Sequence, residues 1–309
     1  MPDPYPYAMT ANGWAFTKTY HREPYEATSP TRPELSQAGK TVLITGGTAG
    51  IGYAIARAFV QASAAQVIIL GRDRERGGAA AAELQADTTT TTTKVTALAV
   101  DISDASAVEK MWADFAENGT VIDVLVLNAA SVSVQKPVLE LGAAALWARD
   151  FDFNVRVQFD LAERFYKQEG KRSSDGPLYL VHVSTNSIHD WNAAAAQHGY
   201  GVTKLAGATA LQAIALETPP HDMQVASFNP GPNYTQAVKD AGYGRDDFQW
   251  QDENLAGQFA VWLASPEAKF LHGRYVWSAW DIDELKSGPI RKRIDEVEFF
   301  LRTGVQGLL

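Results

Sequence analysis

The stretch Thr41-Val-Leu-Ile-Thr-Gly-Gly-Thr-Ala-Gly-Ile-Gly-Tyr-Ala-Ile-Ala-Arg-Ala-Phe59 joins a short apolar run, a glycine-rich turn and an apolar run of helix-forming residues. A strand, a glycine turn and a helix in this order build the nucleotide site of a βαβ unit. Glycines let the backbone turn sharply and let a pyrophosphate approach without meeting a Cβ atom. The N–H groups and partial positive charge of the helix N-terminus favour phosphate. We therefore expect a phosphate-binding turn here.

The spacing of this turn is Thr45-Gly46-x-x-x-Gly50-x-Gly52. It fits neither the Rossmann pattern Gly-x-Gly-x-x-Gly nor a P-loop, because no Gly-Lys-Ser/Thr follows. The alternative is a glycine-rich turn without a ligand, and the flanking strand and helix patterns argue against it.

Composition limits the class of protein. The chain has 309 residues, of which 46% are apolar and 20% charged, as is ordinary for a globular enzyme. A net charge of −9 argues against a nucleic-acid partner. The absence of cysteine excludes disulfides and thiolate catalysis. No secretory signal is recognisable, and no apolar run approaches the ~20 residues of a membrane span, so we expect a cytoplasmic protein without membrane contact.

The chain divides into three predicted parts. Residues 1–39 contain six of the 14 prolines and many aromatic residues, which predicts an extended arm. Residues 40–285 alternate apolar β-branched runs with helical patterns, and residues 286–309 form a predicted helical tail. Continuously apolar strands that alternate with helices indicate a parallel sheet covered on both faces. We therefore predict a single α/β domain with a doubly wound, Rossmann-type parallel sheet of about seven strands.

The predicted elements follow from these patterns. The predicted strands are Thr41–Thr45, Val67–Leu70, Val95–Val100, Val121–Leu127, Leu178–Val183, Gln224–Phe228 and Arg274–Trp277. The predicted helices are Tyr53–Ala62, Arg76–Gln85, Ala107–Phe115, Leu139–Lys167, Gly201–Leu216 and Asn254–Leu263.

The segment Tyr200-Gly-Val-Thr-Lys204 carries a candidate acid/base pair. Positions four apart share one face of a helix, so the phenol and the ammonium would face one site. A free tyrosine has a pKa of ~10, and a nearby cation lowers that pKa by stabilising the phenolate. The pair would thus exchange a proton with a carbonyl or an alcohol. As an isolated match the motif is weak, and it gains weight from the glycine turn upstream.

A series of motifs occurs along the chain in this order: Thr45-Gly46-x-x-x-Gly50-Ile51-Gly52, Asp101-Ile102, Asn128-Ala129-Ala130, Asn154, Ser184-Thr185-Asn186-Ser187, Tyr200-x-x-x-Lys204 and Pro230-Gly231-x-x-x-Thr235. In this series the chain resembles the short-chain dehydrogenase/reductase family over about residues 38 to 280, and the N-terminal arm is similar to a branch found in filamentous fungi.

The resemblance implies roles for these residues. Those that would hold the cofactor are Gly46, Thr48, Ile51 and Gly52 at the pyrophosphate, Asp101 and Ile102 at the adenine, Asn128 beside the adenosine ribose, and Pro230, Gly231, Asn233 and Thr235 at the nicotinamide carboxamide. Tyr200 would be the acid/base, and Lys204 would bind the nicotinamide ribose. Asn154 would hold a water that links Lys204 to solvent. The alternatives are structural: Asp101 as a helix cap, Asn128 as a strand cap and Asn154 as an exposed polar residue.

Three positions depart from the family pattern. Ala130 stands where a glycine is usual, and Pro232 stiffens the loop after Gly231. The third departure concerns the catalytic serine of the family. Its distance from the end of the predicted strand Leu178–Val183 indicates Thr185, whereas the usual spacing to Tyr200 indicates Ser187. We favour Thr185, because strand ends are better fixed than loop lengths.

Cofactor choice depends on the end of the second predicted strand. Arg72 follows Gly71 at the place where an acid would select NAD and an arginine would accommodate the 2′-phosphate of NADP. We therefore predict NADP(H), with NAD(H) as the alternative.

The sequence predicts an oxidoreductase that moves hydride between the nicotinamide and a carbonyl or secondary alcohol of a small molecule. The competing hypotheses are a nucleotide-binding protein without redox activity and a non-redox catalyst, such as a dehydratase or cyclase. Family resemblance implies a homodimer or homotetramer. Tyr243, Phe248 and Trp250 would either face the substrate or pack together. No metal is expected.

Overall fold

A seven-stranded parallel sheet forms the centre of the computed structural model, which describes residues 16–87, 92–132, 136–170, 176–190, 198–240 and 242–304. The strands are β1 (Thr41–Thr45), β2 (Gln66–Gly71), β3 (Lys94–Ala99), β4 (Val124–Leu127), β5 (Leu178–Val183), β6 (Met223–Asn229) and β7 (Arg274–Trp277). Their order is β3-β2-β1-β4-β5-β6-β7. The predicted fold class is confirmed.

Helices cover both faces of the sheet. They are α1 (Gly50–Gln61), α2 (Arg74–Ala86), α3 (Ala105–Glu117), α4 (Val138–Leu141), α5 (Ala143–Ala145), α6 (Gln158–Lys167), α7 (His198–Glu217), α8 (Gln236–Asp240), α9 (Glu253–Leu263), α10 (Ile282–Lys286) and α11 (Gly288–Glu296). A π-helical segment, Leu146–Val157, joins α5 to α6. Successive strand residues point to opposite faces, so the sheet builds two hydrophobic clusters, one with α1 and α9 and the other with α3, α6 and α7.

The strand order reverses between β1 and β4, which are neighbours in the sheet although two strands separate them in sequence. In doubly wound sheets, ligands bind at this switch point, in the crevice outside the carboxyl ends of the strands. The glycine turn follows β1, and Asn128 follows β4. The fold therefore brings two of the sequence motifs to the same edge.

The single long helix predicted at Leu139–Lys167 was wrong. Helix α4 ends at Leu141, and Gly142 adopts φ +78°, a left-handed conformation that ends a helix. The chain becomes helical again at Ala143, and the π-helical segment occupies its middle. π-Helical turns widen the backbone spiral and are frequent at functional sites. This segment carries Asn154.

Part of the predicted N-terminal arm lies along the C-terminal elements. Tyr20 forms an antiparallel bridge with Trp280, and the ring of Phe16 lies 4.4 Å from that of Trp280. The backbone N–H groups of Lys18 and Thr19 donate to the Glu284 carboxylate. Residues 1–15 lie outside the described residues, and the three domain boundaries stay predictions.

We expect Gly52→Ala to destabilise the protein. A Cβ atom at Gly52 would collide with the Gly46 carbonyl oxygen and lie 2.5 Å from the Asn128 amide nitrogen. Overpacking of this kind costs roughly 1–3 kcal/mol, measurable as a loss in the free energy of unfolding in urea. Gly78→Ala is the matched control: it lies on the exposed side of α2 with open space around it, and it should gain about 0.5–1 kcal/mol. Equal effects of the two substitutions would contradict the close approach.

Candidate active site

The glycine turn after β1 is compact, because Cβ atoms on its glycines would meet neighbouring backbone or side chains. Gly46 and Gly50 adopt φ +64° and +53°, which side chains rarely tolerate. Gly52 faces the Gly46 carbonyl, so the start of α1 lies directly against the turn. A Cβ atom on Gly50 would lie 3.2 Å from Thr235 Cγ2. The turn, the N-terminus of α1 and the loop after β6 therefore meet, and this cradle of backbone has the form that a pyrophosphate needs.

Asn128 joins this turn to the end of β4. Its amide Nδ2 donates to the carbonyl oxygens of Thr45 (3.0 Å) and Gly46 (3.2 Å). In return, Thr45 Oγ1 accepts from the backbone N–H groups of Asn128 (2.9 Å) and Ala129 (3.0 Å). Asn128 thus shapes the turn from beneath. Ala130, the departure from the family pattern, is exposed.

The residues expected near the adenosine lie at the ends of β2 and β3. Arg72 follows β2 and is exposed, whereas Asp73 caps α2 by accepting from the N–H groups of Glu75 and Arg76. A Cβ atom on Gly71 would lie 2.7 Å from Thr48 Cγ2, so Thr48 and the end of β2 are adjacent. Asp73 is thus engaged in the cap, whereas the Arg72 side chain is exposed beside it.

Asp101 and Ile102 follow β3. Asp101 Oδ1 accepts from the Ser103 N–H and hydroxyl, and the cap of α3 is Asp104, so Asp101 is not the helix cap that the alternative reading supposed. Ile102 is buried in the cluster that includes Leu70. Both residues lie at the carboxyl edge of the sheet, beside the end of β2.

The loop after β6 is held by its own asparagine. Asn233 Nδ2 donates to the carbonyl oxygens of Pro230 (2.8 Å) and Gly231 (2.9 Å), which fixes the turn at Gly231, where φ is +74°. The Asn233 Oδ1 atom is buried and has no hydrogen-bond partner among the described residues. A buried acceptor of this kind is costly unless a donor reaches it. The carboxamide of a nicotinamide carries such a donor, so the loop fits the predicted role.

The two candidate hydroxyls at the end of β5 differ in exposure. Thr185 is half-buried, and its side chain caps the short helical turn Asn186–Ile188. Ser187 is buried beneath the start of α7. The Ser187 carbonyl oxygen would lie 2.9 Å from a Cβ atom placed on Gly201. The phenol of Tyr275 donates to the Thr185 carbonyl oxygen at 3.0 Å. Thr185 is therefore the more accessible hydroxyl and has a braced backbone.

Tyr200 and Lys204 both lie in the first two turns of α7. Tyr200 is half-buried, and burial raises its pKa to about 12. Lys204 is 1% exposed, and desolvation lowers its pKa to about 7. Its amine binds the Val183 carbonyl oxygen at 2.8 Å and His182 Nε2 at 3.0 Å. The expected lowering of the Tyr200 pKa by Lys204 is thus not found, because the amine faces β5.

Asn154 is buried in the π-helical segment, not exposed on a helix face. Its amide exchanges two 2.8 Å hydrogen bonds with the Ser131 backbone and donates to Thr203 Oγ1 at 2.9 Å. The side chain therefore ties the loop after β4 to α7. The Asn154 carbonyl oxygen faces Gly207, at 2.5 Å from a Cβ placed there. A water held by Asn154 would bind the backbone carbonyl oxygen, because the side-chain Oδ1 and Nδ2 atoms are already engaged in hydrogen bonds.

Tyr243, Phe248 and Trp250 pack on one another after α8. The ring centroid of Phe248 lies 5.6 Å from that of Tyr243 and 5.0 Å from that of Trp250. The ring centroids of Trp250 and Tyr234 are 5.2 Å apart. Phe248 is half exposed. The packing alternative is thus realised for these rings, and one of them also offers an open face.

Sequence reasoning missed three residues at this edge: His182, Tyr275 and Gln251. His182 contacts Lys204, Tyr275 braces Thr185, and Gln251 packs against Gly231. A signal existed for the first, because a histidine inside the apolar run Leu178–Val183 is an unusual polar residue in a buried strand.

Comparison with known proteins identifies the family. The sequence pattern described as short chain dehydrogenase matches residues 40–245. A short chain dehydrogenase/reductase of Aspergillus aculeatus, AacuD, is 36% identical over 289 residues, which cover 94% of this chain and 96% of the relative. The chain therefore belongs to the short-chain dehydrogenase/reductase family.

Solved structures share the fold. A 7α-hydroxysteroid dehydrogenase, complexed with NADH and 7-oxo glycochenodeoxycholic acid, has a TM-score of 0.69 at 20% identity and covers 83% of this chain and 97% of its own. The L-sorbose reductase of Gluconobacter frateurii, complexed with NADPH and L-sorbose, has a TM-score of 0.69 at 21% identity and covers 79% and 96%. Across the described ranges, we find no helix with the length and apolar character needed to cross a bilayer.

The burial of Lys204 predicts a pH dependence of stability in protein without added nucleotide. Its pKa is about 7 when folded and about 10.4 when unfolded, so the unfolded state binds more protons between these values and stability rises with pH. The measured quantity is the difference in unfolding free energy between wild type and Lys204→Met. We expect this difference to increase in favour of wild type by roughly 1.4 kcal/mol per pH unit from pH 7.5 to 9.5. Urea titrations at several pH values measure this, and parallel curves for the two proteins would contradict it.

Proposed function

We propose that the protein is an NADP(H)-dependent oxidoreductase that moves hydride between the nicotinamide and a carbonyl or secondary alcohol of a small molecule. Family membership supports the reaction class. The observation that carries the proposal is the convergence, at one sheet edge, of the glycine cradle, the half-buried Tyr200, the buried Lys204 and the hydroxyl of Thr185. Tyr275 links two of them, because it binds the Thr185 backbone and lies close enough to Tyr200 for that residue to contribute to raising the pKa of the Tyr275 phenol.

Each of these residues has a role in the proposed reduction. A bound nicotinamide nucleotide supplies the hydride. Tyr200, whose raised pKa keeps the phenol protonated, donates its proton to the substrate oxygen. Thr185 donates a hydrogen bond to the same oxygen and stabilises the charge that develops there. The Lys204 ammonium favours the phenolate that remains on Tyr200. Oxidation of an alcohol reverses these steps.

We also infer how the nucleotide is held. The glycine turn with Thr48, Ile51 and Gly52 would hold the pyrophosphate, and Asp101, Ile102 and Asn128 would line the adenosine side. Pro230, Gly231, Asn233 and Thr235 would hold the nicotinamide carboxamide, with the buried Asn233 Oδ1 as acceptor. Asn154 would position a water through its backbone carbonyl. Thr185 is the proposed catalytic hydroxyl because it is the more accessible of the two.

The preference for NADP over NAD rests on Arg72. Its guanidinium can pair with a phosphate through two hydrogen bonds and can stack on adenine. The nearby acid, Asp73, is engaged in capping α2 and is therefore poorly placed to bind a ribose 2′-hydroxyl. Because the structural relatives hold NADH in one case and NADPH in the other, the choice depends on this chain's own residues.

We further propose a homodimer or homotetramer in the cytoplasm. The outer side of the helical region from Val138 to Lys167 exposes Leu139 (96%), Trp147 (63%), Phe159 (44%) and Tyr166 (45%). Large apolar side chains that are exposed favour burial against a partner.

We expect Arg72→Ala to weaken NADPH binding about 10- to 100-fold while it leaves NADH binding nearly unchanged, since a charged hydrogen bond contributes about 1.5–3 kcal/mol. Calorimetry with both nucleotides measures this. Arg291→Ala, which removes a half-buried arginine that pairs with Asp295 on α11 and lies over the Phe270 ring, is the control and should change neither affinity. An equal loss for NADH and NADPH would contradict the assignment of Arg72 to the 2′-phosphate.

Tyr200→Phe should lower kcat about 100- to 10,000-fold, as expected for loss of a positioned general acid, with little change in NADPH affinity. The assay is NADPH oxidation at 340 nm against a panel of carbonyl compounds. Tyr179→Phe removes another phenol on the far part of β5 and should retain activity. Nucleotide binding without turnover of any substrate by wild type would favour the non-redox binder. Product formation without nucleotide oxidation would favour a dehydratase or cyclase.

A further inference from the structure

A row of polar side chains crosses the apolar sheet beneath α7. His182 on β5 is in register with Ser227 on β6, and Ser227 is in register with Tyr275 on β7. His182 is fully buried, and Ser227 and Tyr275 are nearly so. Three polar residues side by side in buried parallel strands are unusual, because such strands are ordinarily apolar throughout. The row therefore calls for a physical reason.

The row ends at the buried amine of α7. Lys204 Nζ lies 3.0 Å from His182 Nε2, and His182 Nδ1 lies 3.1 Å from Ser227 Oγ. Burial and the charge of Lys204 hold the pKa of His182 well below its usual range, so the imidazole is neutral. A neutral imidazole that accepts from the ammonium at Nε2 carries its proton on Nδ1 and donates it to Ser227. Ser227 thus selects the tautomer that suits Lys204.

We propose that His182 is a positioning residue for Lys204: it accepts one ammonium N–H, the Val183 carbonyl accepts a second, and the third is left for the nicotinamide ribose and the Tyr200 phenol. This inference rests on the proposed function. The anchor is rigid because both neighbours belong to β5 and because Ser227 fixes the ring from the other side. Lys204 then presents its remaining donor in one direction.

Neutral acceptors carry the stabilisation of this ammonium. His182 from β5 is the titratable group in contact with Lys204, and Tyr200, one helical turn earlier on α7, lies close to Tyr275 of β7. The buried acid of the π-helical segment, Asp150, is engaged by Arg149 and Ser131. Among the described residues, no carboxylate forms an ion pair with Lys204. Loss of the His182 acceptor would therefore leave a buried charge underbonded.

The test compares three histidine variants. His182→Phe keeps a ring and removes the acceptor, His182→Gln offers an amide oxygen in its place, and His272→Gln is the control. His272 accepts from the Val225 N–H and binds the Ala215 carbonyl without contact to Lys204. The first readout is the pKa of Lys204 in protein without nucleotide, followed by NMR of ¹³Cε-lysine and assigned with Lys204→Met. The second is the pH profile of kcat and KM.

We expect His182→Phe to lower the pKa of Lys204 by about one unit, because a hydrogen bond to a charged group contributes roughly that much. The pH profile of kcat should shift downward by the same amount, and kcat at pH 7 should fall about fivefold while the substrate KM changes little. His182→Gln should restore both readouts in part, and His272→Gln should match wild type. An unchanged Lys204 titration in folded His182→Phe would overturn the proposal.

Two further results keep this test separate from the proposed function. The titration uses protein without nucleotide, so it stands even if wild type binds no NADP(H), a result that would overturn the proposed function alone. If His182→Phe does not fold, Ser227→Ala removes the anchor on Nδ1 and keeps the ring. It should lower the pKa of Lys204 in the same direction, and Ser265→Ala, a buried serine bonded to Trp262, should not. No shift in Ser227→Ala would overturn the proposal.

Discussion

The contact on which the site depends is the close approach of Gly52 to the Gly46 carbonyl, closed from below by the Asn128 amide. It sets the first turn of α1 against the end of β1, so the helix N-terminus and the turn present their N–H groups together. Asn128 follows β4, the strand that lies beside β1 where the strand order reverses. The Asn128 amide thus connects the glycine turn with the rest of the carboxyl edge, and a side chain at Gly52 would push the turn and α1 apart.

The second constraint is the burial of the Lys204 amine. Removal of an ammonium from water is costly, and the protein offsets this cost with neutral acceptors on β5 instead of a carboxylate. In the proposed reaction, a carboxylate would hold the charge more strongly but would compete with the Tyr200 phenolate for the same cation, whereas neutral acceptors would leave the charge of Lys204 available to it. The polar row across β5, β6 and β7 would then support the proposed site from beneath.

Local patterns predicted most of the fold. The seven apolar runs became strands, and all of them except the edge strand β3 are largely buried. Three of them, at Thr41, Leu178 and Arg274, have the predicted bounds. The predicted helix at Leu139–Lys167 failed at Gly142, whose positive φ outweighs the helical pattern around it. Motifs located the candidate site residues at one sheet edge. They did not reveal that Lys204 faces His182, because that contact depends on the placement of α7 over β5, which no spacing in the sequence encodes.

The N-terminal arm takes part in the same edge of the sheet. Tyr20 accepts a 2.9 Å hydrogen bond from Gln251 Nε2, and the Gln251 side chain packs directly on Gly231, where only a glycine leaves room. The Gln251 N–H donates to the Pro232 carbonyl, and the Asp252 N–H donates to the Arg22 carbonyl. The loop after β6 is therefore held between Asn233 on the inside and an arm-supported glutamine on the outside. Because Pro232 removes a backbone donor and fixes φ, this loop depends on Asn233 and Gln251 for hydrogen bonds, and the arm acts on the loop indirectly by holding Gln251.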